Sequence, residues 1–365
     1  MEENIMTQKN EPIETYILEI TNKCNEACNF CYSISYDPTT ESGRVPGQLD
    51  GKEWMNGLEN IAKNGAKAVD FSGGEPTLHP DFPEIAKKAS DLGLYVILSS
   101  NGSTINNERI RQSIDSYVDC VSLSIHGVGD IHETIKKRKG SYEKVIRAYE
   151  HFTRGKPEVK VNTVACKANL ERVLEIGHAL NIENNPVQWK VSQVIPREAG
   201  LINKYDVSIT NEEYRQITES VQNQYPRAFS EGRITFREDD STDAHQFVPY
   251  LIVDSSGQLQ IPIGEKHKPL KISISERDFT TQLGEKIEDL KNFPDALNKN
   301  HKKFYGNPKE KRSLPIFQNA NERERDEIAY TECMYCPSDK ILTPISNCSY
   351  ICQDCKNVNE FCGVY

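Results

Sequence analysis

Three cysteines in one short segment set the strongest limit on what this chain can fold into. Cys24, Cys28 and Cys31 follow an apolar run at residues 16–20, which predicts a first β-strand, and a polar loop comes after them. Three thiolates so close together can hold three irons of a cubane iron–sulfur cluster, whose usual ligand set is four cysteines. One iron then keeps a coordination position for a small molecule. A zinc site is the alternative, because Cys-x2-Cys spacing is also common in zinc proteins.

A second motif, Gly73-Gly74-Glu75, lies at the end of the next predicted strand, residues 68–71. The two glycines allow a ligand to approach the backbone closely, since neither carries a Cβ. Glu75 can accept a hydrogen bond from an ammonium group. An ordinary strand-to-helix turn is the alternative. The position of the motif, one βα unit after the cysteine triplet, favours a functional interpretation.

Short β-rich runs alternate with helical patterns from residue 14 to about residue 194, which predicts βα units and a mainly parallel sheet. The predicted strands are residues 16–20, 68–71, 95–99, 120–125, 159–164 and 188–194. The predicted helices are residues 52–63, 83–92, 107–113, 142–153 and 170–180. Most of the polar motifs in this region fall at or near the carboxyl ends of these strands.

The Cys-x3-Cys-x2-Cys spacing, followed by Gly-Gly-Glu, resembles the radical S-adenosylmethionine (SAM) superfamily. The resemblance implies an α/β fold, a partial (β/α)6 TIM barrel with its active site at the carboxyl ends of the strands. It also implies a [4Fe-4S] cluster on Cys24, Cys28 and Cys31 that delivers an electron to SAM. The resulting 5′-deoxyadenosyl radical would abstract a hydrogen atom from the substrate.

The same resemblance implies a set of SAM contacts. The implied cofactor-binding residues are Phe30, Gly73, Gly74, Glu75, Asn101, Ser124 and Gln193. The Gly-Gly-Glu segment would hold the methionine amino group, and Phe30 would lie beside the adenine. Ser124 and Gln193 would lie near the SAM carboxylate, ribose or methionine, and Asn101 would contact SAM or substrate. A polar residue at a strand end can equally well satisfy backbone groups, so both interpretations stay open. No catalytic acid or base is assigned.

Composition predicts a cytoplasmic protein. The N-terminus is polar and acidic, unlike a secretory signal, and no apolar run reaches the roughly 18 residues that a membrane helix needs. In the cytosol the eleven cysteines are better explained as metal ligands than as disulfides. The net charge of −10 argues against a long nucleic-acid partner, since phosphate contacts need clustered Lys and Arg.

Beyond residue 197 the pattern changes. Thr210 and Glu213 form a predicted capping box that begins a helix over residues 211–224, and a predicted hairpin joins residues 250–253 to residues 258–263. Further helices are predicted at residues 287–300 and 322–328. The predicted domains are an N-terminal tail (1–13), a radical SAM core (14–205), a connecting α+β region with the hairpin (206–331) and a cysteine-rich domain (332–365).

Six of the eleven cysteines crowd that last domain, which implies that metal supplies its folding free energy. They are Cys333, Cys336, Cys348, Cys352, Cys355 and Cys362. Cysteine sets serve zinc and iron–sulfur clusters equally well. Joined to a radical SAM core, the extension resembles SPASM or twitch domains, which favours an auxiliary iron–sulfur cluster over zinc. Its spacing departs from the SPASM pattern, so the number and ligands of the clusters stay open.

Two substrate classes are open. The Glu-Ile-Thr-Asn-Lys-Cys opening, the Ser-Ile-His-Gly strand and the cysteine-rich tail resemble maturases of ribosomally made peptides, the favoured prediction. Residues 161–164 and 185–191 resemble viperin-type nucleotide dehydratases, in which case Lys190 would contact a substrate phosphate. Either enzyme would need an electron donor such as flavodoxin or ferredoxin. The non-enzyme alternative is an iron–sulfur electron carrier or a zinc-stabilised binding module, and the intact motifs argue against it.

Overall fold

The structure, a computed structural model, describes residues 13–32, 47–196, 203–238, 251–263 and 266–283, and the backbone of three strands beyond residue 341. The chain divides into two compact units, Met1–Lys311 and Arg312–Tyr365. In the described part of the first unit, ten strands form one sheet. They are β1 (Thr15–Thr21), β2 (Ala68–Gly73), β3 (Tyr95–Ser100), β4 (Cys120–Ser124), β5 (Glu158–Ala165), β6 (Gln188–Gln193), β7 (Ile234–Arg237), β8 (Ile252–Val253), β9 (Gln258–Ile263) and β10 (Lys266–Ser273).

The strand order is β10-β9-β8-β1-β2-β3-β4-β5-β6-β7. Strands β1 to β7 are parallel neighbours in sequence order. Strand β8 pairs parallel with the other side of β1, and β9 and β10 continue antiparallel from it. The six predicted strands are therefore all present in the predicted order, and the hairpin of β8 and β9 is confirmed.

Helices connect the parallel strands, as the alternation predicts. They are α1 (Gly51–Lys63), α2 (Phe82–Asp91), α3 (Glu108–Tyr117), α4 (Asp130–Lys136), α5 (Ser141–Thr153), α6 (Val173–Ala179), α7 (Lys204–Val207), α8 (Asn211–Gln224) and α9 (Pro226–Ser230). The capping box of Thr210 and Glu213 that begins α8 is confirmed. A second capping box, made by Asp50 and Glu53, begins α1.

Several short elements were not predicted from the sequence. Helix α4 has 7 residues and strand β7 has 4, so neither contains enough positions to show a period. Strand β10 lies in a stretch whose polar composition gave no strand signal. The two helices predicted at residues 287–300 and 322–328 lie outside the described residues.

Strand β6 shows how alternation sorts side chains between the helix layer and the barrel interior. Trp189 is buried toward the helices, where its ring lies 6.0 Å from that of Tyr225. Lys190, the next residue, pairs in register with Asn162 of β5. Asn162 Nδ2 donates to Ser122 Oγ of β4 at 2.6 Å, so these alternate positions lie side by side on the interior face of the sheet.

The second unit is described only as strand backbone. Strands β11 (Leu342–Ser346), β12 (Ser349–Cys352) and β13 (Val358–Glu360) form an antiparallel sheet in the order β11-β12-β13. Cys352 ends β12. The predicted ligands Cys333, Cys336, Cys348, Cys355 and Cys362 lie outside the described residues. In the part of the chain that is described, no helix has the length and apolar character of a membrane crossing.

Candidate active site

The cysteine loop (residues 22–32) follows β1 and carries the cysteine triplet. Cys24, Cys28 and Cys31 are all half-buried, and the Cys31 N–H donates to the Cys28 carbonyl oxygen at 3.1 Å. The triplet thus lies at the carboxyl end of the first strand, the end at which a parallel α/β barrel carries its active site.

Gly73 and Gly74 pack against the start of the cysteine loop. The Gly74 N–H donates to Thr21 O at 2.7 Å, and the Glu75 N–H donates to Lys23 O at 2.8 Å. Gly73 has a φ of +127°, and a Cβ at either glycine would stand within 3.0 Å of one of these two carbonyl oxygens. The sequence analysis expected the glycines to admit a ligand. In the structure, the end of β1 approaches Gly73 closely and the start of the cysteine loop approaches Gly74, and the expected SAM contact stays a prediction.

Glu75 is buried at the same edge, with 1% of its surface exposed. Its Oε2 accepts from the Asn101 N–H at 2.7 Å. Its Oε1 accepts from the hydroxyl groups of Thr77 and Ser100 at 2.6 and 2.8 Å. Burial raises the pKa of Glu75, and these hydrogen bonds oppose the rise. The carboxylate is therefore held in one orientation between the ends of β2 and β3.

Asn101 connects Glu75 to the cysteine loop. Its Nδ2 donates to Asn25 Oδ1 at 2.9 Å, and Asn25 Nδ2 donates to Ser103 Oγ at 2.8 Å. Asn25 directly follows Cys24, so this network holds the loop beside a predicted cluster ligand. The sequence analysis did not single out Asn25, because an asparagine in a polar loop gives no signal of its own.

Two further predicted SAM contacts lie at or near this edge. Phe30 of the cysteine loop packs edge-on against His126, with ring centroids 5.0 Å apart. Ser124 ends β4 and pairs in register with Asn162. Both positions are consistent with the sequence prediction, which stays a prediction for each residue.

Gln193 has a different environment. It occupies the same face of β6 as Trp189, and its side chain is buried. Its Nε2 donates to Ile209 O at 3.2 Å and to Asn211 Oδ1 at 3.0 Å, at the start of α8. In the structure, the amide of Gln193 therefore anchors α8 to the barrel, and its predicted SAM contact stays a prediction.

Comparison with known proteins decides the family. Residues 18–179 match the Radical SAM superfamily. These residues form a radical SAM domain. A crystal structure of Streptococcus suis SuiB bound to precursor peptide SuiA superposes with a TM-score of 0.56 over 74% of this chain and 64% of that one, at 16% identity. That similarity shows a common fold, and the predicted partial barrel is confirmed for the core.

Curated radical SAM relatives differ in what they act on. The chain is 28% identical over 265 residues to an S-adenosylmethionine-dependent nucleotide dehydratase of Flammeovirga pacifica, covering 70% of this chain and 84% of the relative. It is 29% identical over 161 residues to a PqqA peptide cyclase of Bradyrhizobium diazoefficiens, covering 44% of this chain and 41% of that protein. These relatives are enzymes, and this chain is a radical SAM enzyme, so the non-enzyme alternative is not supported.

The thiol donors fit the iron–sulfur cluster that radical SAM chemistry implies. Burial raises the pKa of Cys24 to about 12 and that of Cys28 to about 11. Both thiols therefore keep their protons at neutral pH until a metal displaces them. Among the described residues, no three Cys, His, Asp or Glu side chains are grouped as ligands of one metal ion. A cubane cluster does not need three side chains grouped around one metal ion, because each cysteine binds a different iron.

The barrel interior carries a group of basic side chains that the sequence analysis recognised only in part. The interior cation group is Lys160 of β5, Lys190 of β6 and Arg237 of β7, which occupy interior-facing positions on three adjacent strands. Burial lowers the pKa of Lys190 well below its usual value, and repulsion from Lys160 and Arg237 lowers it further. Asp70 of β2 acts on both lysines in the opposite direction.

Glu75 offers a direct test of the hydrogen-bond network. Glu75→Ala is expected to lower the free energy of unfolding by about 1–3 kcal/mol for each buried donor left unpaired. Glu75→Gln is expected to cost less, since its oxygen can still accept from the Asn101 N–H and the two hydroxyl groups can rotate. Denaturant unfolding of the apoprotein measures both. Equal stability of the two variants would contradict the network.

Proposed function

We propose that this radical SAM enzyme acts on a phosphorylated small molecule of the nucleotide class. Cys24, Cys28 and Cys31 would hold a [4Fe-4S] cluster that reductively cleaves SAM to a 5′-deoxyadenosyl radical. The predicted SAM contacts would orient SAM beside the cluster. They are Phe30, Gly73, Gly74, Glu75, Asn101, Ser124 and Gln193. The interior cation group is the observation that carries the substrate class.

The charge of the barrel interior favours an anionic ligand. Lys160 is 5% exposed and Lys190 is half-buried, and a cation in such surroundings loses much of its hydration. Lys160 and Arg237 both destabilise the charged form of Lys190. A phosphate group between these side chains would replace repulsion by charge-assisted hydrogen bonds, which are among the strongest in proteins.

The strand positions suit a substrate that extends from the barrel interior toward the cysteine loop. Lys160 and Lys190 each occupy the third position of their strand, below Asn162 and Ser192, while the cysteine loop lies at the carboxyl end of β1. A phosphate held at the lysines would direct the remainder of the molecule toward that end. The match to the nucleotide dehydratase, which extends over 70% of this chain, supports the same substrate class.

Production of 5′-deoxyadenosine tests the proposal. Anaerobically reconstituted, dithionite-reduced enzyme is incubated with SAM and one of the four ribonucleoside triphosphates, or with a pool of peptides, and the nucleoside is assayed by chromatography. We expect at least one nucleotide to raise 5′-deoxyadenosine formation above the rate with SAM alone. Stimulation by peptides and by no nucleotide would overturn the proposed substrate class.

Lys190 should determine nucleotide affinity. Lys190→Gln is expected to weaken binding about 10- to 100-fold, since a hydrogen bond to a charged group contributes about 1.5–3 kcal/mol. A bound phosphate should also raise the lowered pKa of Lys190, so wild-type binding should take up protons and weaken as pH rises toward the ordinary lysine pKa. Titration calorimetry in two buffers of different ionisation enthalpy measures both effects.

A matched control separates this effect from a general loss of charge. Lys52 is exposed on α1, and Lys52→Gln is expected to bind nucleotide like the wild type with the same proton uptake. Equal affinities for Lys190→Gln and Lys52→Gln would contradict the phosphate contact.

A ribosomally made peptide is the second candidate substrate. The sequence analysis had favoured it over the nucleotide. The 29% identity to a peptide cyclase supports it. On either substrate, we propose flavodoxin or ferredoxin as the electron donor and an auxiliary iron–sulfur cluster, with zinc as the alternative, in the cysteine-rich extension. The predicted domain boundaries and the cytoplasmic location stay predictions.

A further inference from the structure

The carboxyl end of helix α4 binds the backbone of the cysteine loop. The Ala27 N–H donates to Lys136 O, and the Asn29 N–H donates to Ile135 O, both at 3.1 Å. The last carbonyl groups of a helix have no partners within it. Here two of them bind the loop between Cys24 and Cys31, so the end of α4 fixes the loop backbone.

A buried ion pair joins the same two elements. Lys136 Nζ lies 2.9 Å from Glu26 Oε2, and the two side chains are 3% and 1% exposed. Glu26 stands between Cys24 and Cys28 in the cysteine loop. Burying two charges costs several kcal/mol per ion before their attraction is counted, so such a pair is weak evidence for a role in stability.

The ion pair lies beside the cysteine triplet. Glu26 is two residues from both Cys24 and Cys28, and Lys136 O accepts from the N–H of Ala27, the residue before Cys28. The nearby imidazoles add no positive charge, because burial lowers the pKa of His126 and of His132, the latter to about 3. The thiols therefore lie beside one buried cation and one buried anion.

We propose that the Glu26–Lys136 pair sets the reduction potential of the iron–sulfur cluster on Cys24, Cys28 and Cys31. The inference rests on the proposed function, which assigns the cluster to these cysteines. One-electron reduction makes the cluster and its thiolates more negative by one unit. A buried cation stabilises that product and a buried carboxylate destabilises it, since charges interact strongly where water is excluded. Lys136 and Glu26 are thus positioning and tuning residues rather than ligands.

Opposite shifts in the two single variants test the proposal. Glu26→Gln removes the carboxylate, so the reduction potential is expected to become more positive. Lys136→Met removes the cation, so the potential is expected to become more negative. Each shift should reach at least a tenfold change in the reduction equilibrium, which is ~59 mV for a one-electron couple. Redox titration followed by electron paramagnetic resonance, without SAM, measures the potential.

Two further variants serve as controls. Lys136→Arg retains the cation, and its potential is expected to remain near that of the wild type. The Glu26→Gln/Lys136→Met double variant buries neither charge, and its potential is expected to lie between those of the single variants. Should Lys136→Met take up no iron, Glu26→Gln alone decides, because only the charge explanation makes its potential more positive.

Contrary outcomes separate this inference from the proposed function. Shifts of the same sign in both single variants, or an unchanged potential in Glu26→Gln with full iron content, would leave the pair a structural contact and overturn the inference alone. A wild-type enzyme that takes up no iron at this site would instead overturn the proposed function.

Discussion

The Cys24→Ala/Cys28→Ala/Cys31→Ala variant is expected to form no detectable 5′-deoxyadenosine and to contain about four fewer irons per chain than the wild type. The three thiols are the proposed ligands of the core cluster, and they lie together in the cysteine loop. Without them no open iron position exists for SAM. Iron analysis and chromatography of the anaerobically reconstituted proteins measure the two losses.

Cys166→Ala is the matched control, because Cys166 is a buried cysteine outside the cysteine loop. It is expected to retain iron and activity. Iron that persists in the triple variant would support the proposed auxiliary cluster in the extension, whereas zinc without iron would contradict it. Wild-type amounts of 5′-deoxyadenosine from the triple variant would refute the core assignment.

Gly73→Ala is expected to abolish cluster loading by forcing the cysteine loop away from β2. The φ of +127° is strained for any residue with a side chain and costs about 1–3 kcal/mol. The added methyl group must also displace the Thr21 carbonyl, and such overpacking typically costs about 1–3 kcal/mol more. Iron content and denaturant unfolding measure the loss.

Gly93 provides a control that separates strain from collision. It has a φ of +78°, and nothing lies within 4 Å of a Cβ built there. Gly93→Ala is therefore expected to cost only the left-handed conformation, about 1–2 kcal/mol, and to retain iron. If both alanine variants retained full iron content, the contact between Gly73 and Thr21, which leads into the cysteine loop, would not be what positions the cysteines.

The parallel core was predictable because its strands and helices carry strong local signals. The predicted strand at residues 95–99, for example, became Tyr95–Ser100, and the predicted helix at residues 52–63 became Gly51–Lys63. Each strand is a short apolar run and each helix is an amphipathic segment, so the pattern within the segment is sufficient to predict the element. The cysteine triplet and Gly-Gly-Glu then follow at the ends of known strands.

What the sequence did not reveal depends on partners that are distant along the chain. The 7 residues of α4 gave no periodic signal, yet Lys136 pairs with Glu26 more than a hundred residues away. The resemblance places Gln193 near SAM, which stays a prediction. The hydrogen bond from its amide to Asn211 at the start of α8 depends on side-chain direction, which the sequence did not reveal.

The substrate prediction changed for a related reason. The sequence analysis weighed motifs and favoured a peptide substrate. It gave Lys190 a phosphate contact only for the alternative, a nucleotide substrate. Lys160 and Arg237 lie on the neighbouring strands β5 and β7, and only the register brings all three cations to one face. This register is therefore what supports the proposed nucleotide substrate.

The central location of β1 has a consequence for biosynthesis. The Ile17 N–H donates to Leu251 O, and β8 pairs with β1 on the side opposite β2. The strand that leads into the cysteine loop is made before the other described strands of the sheet, yet it acquires its second neighbour only after residue 252 has been made. Metal loading should therefore follow translation of most of the chain, and a fragment that stops after β7 would present β1 as an open edge prone to self-association.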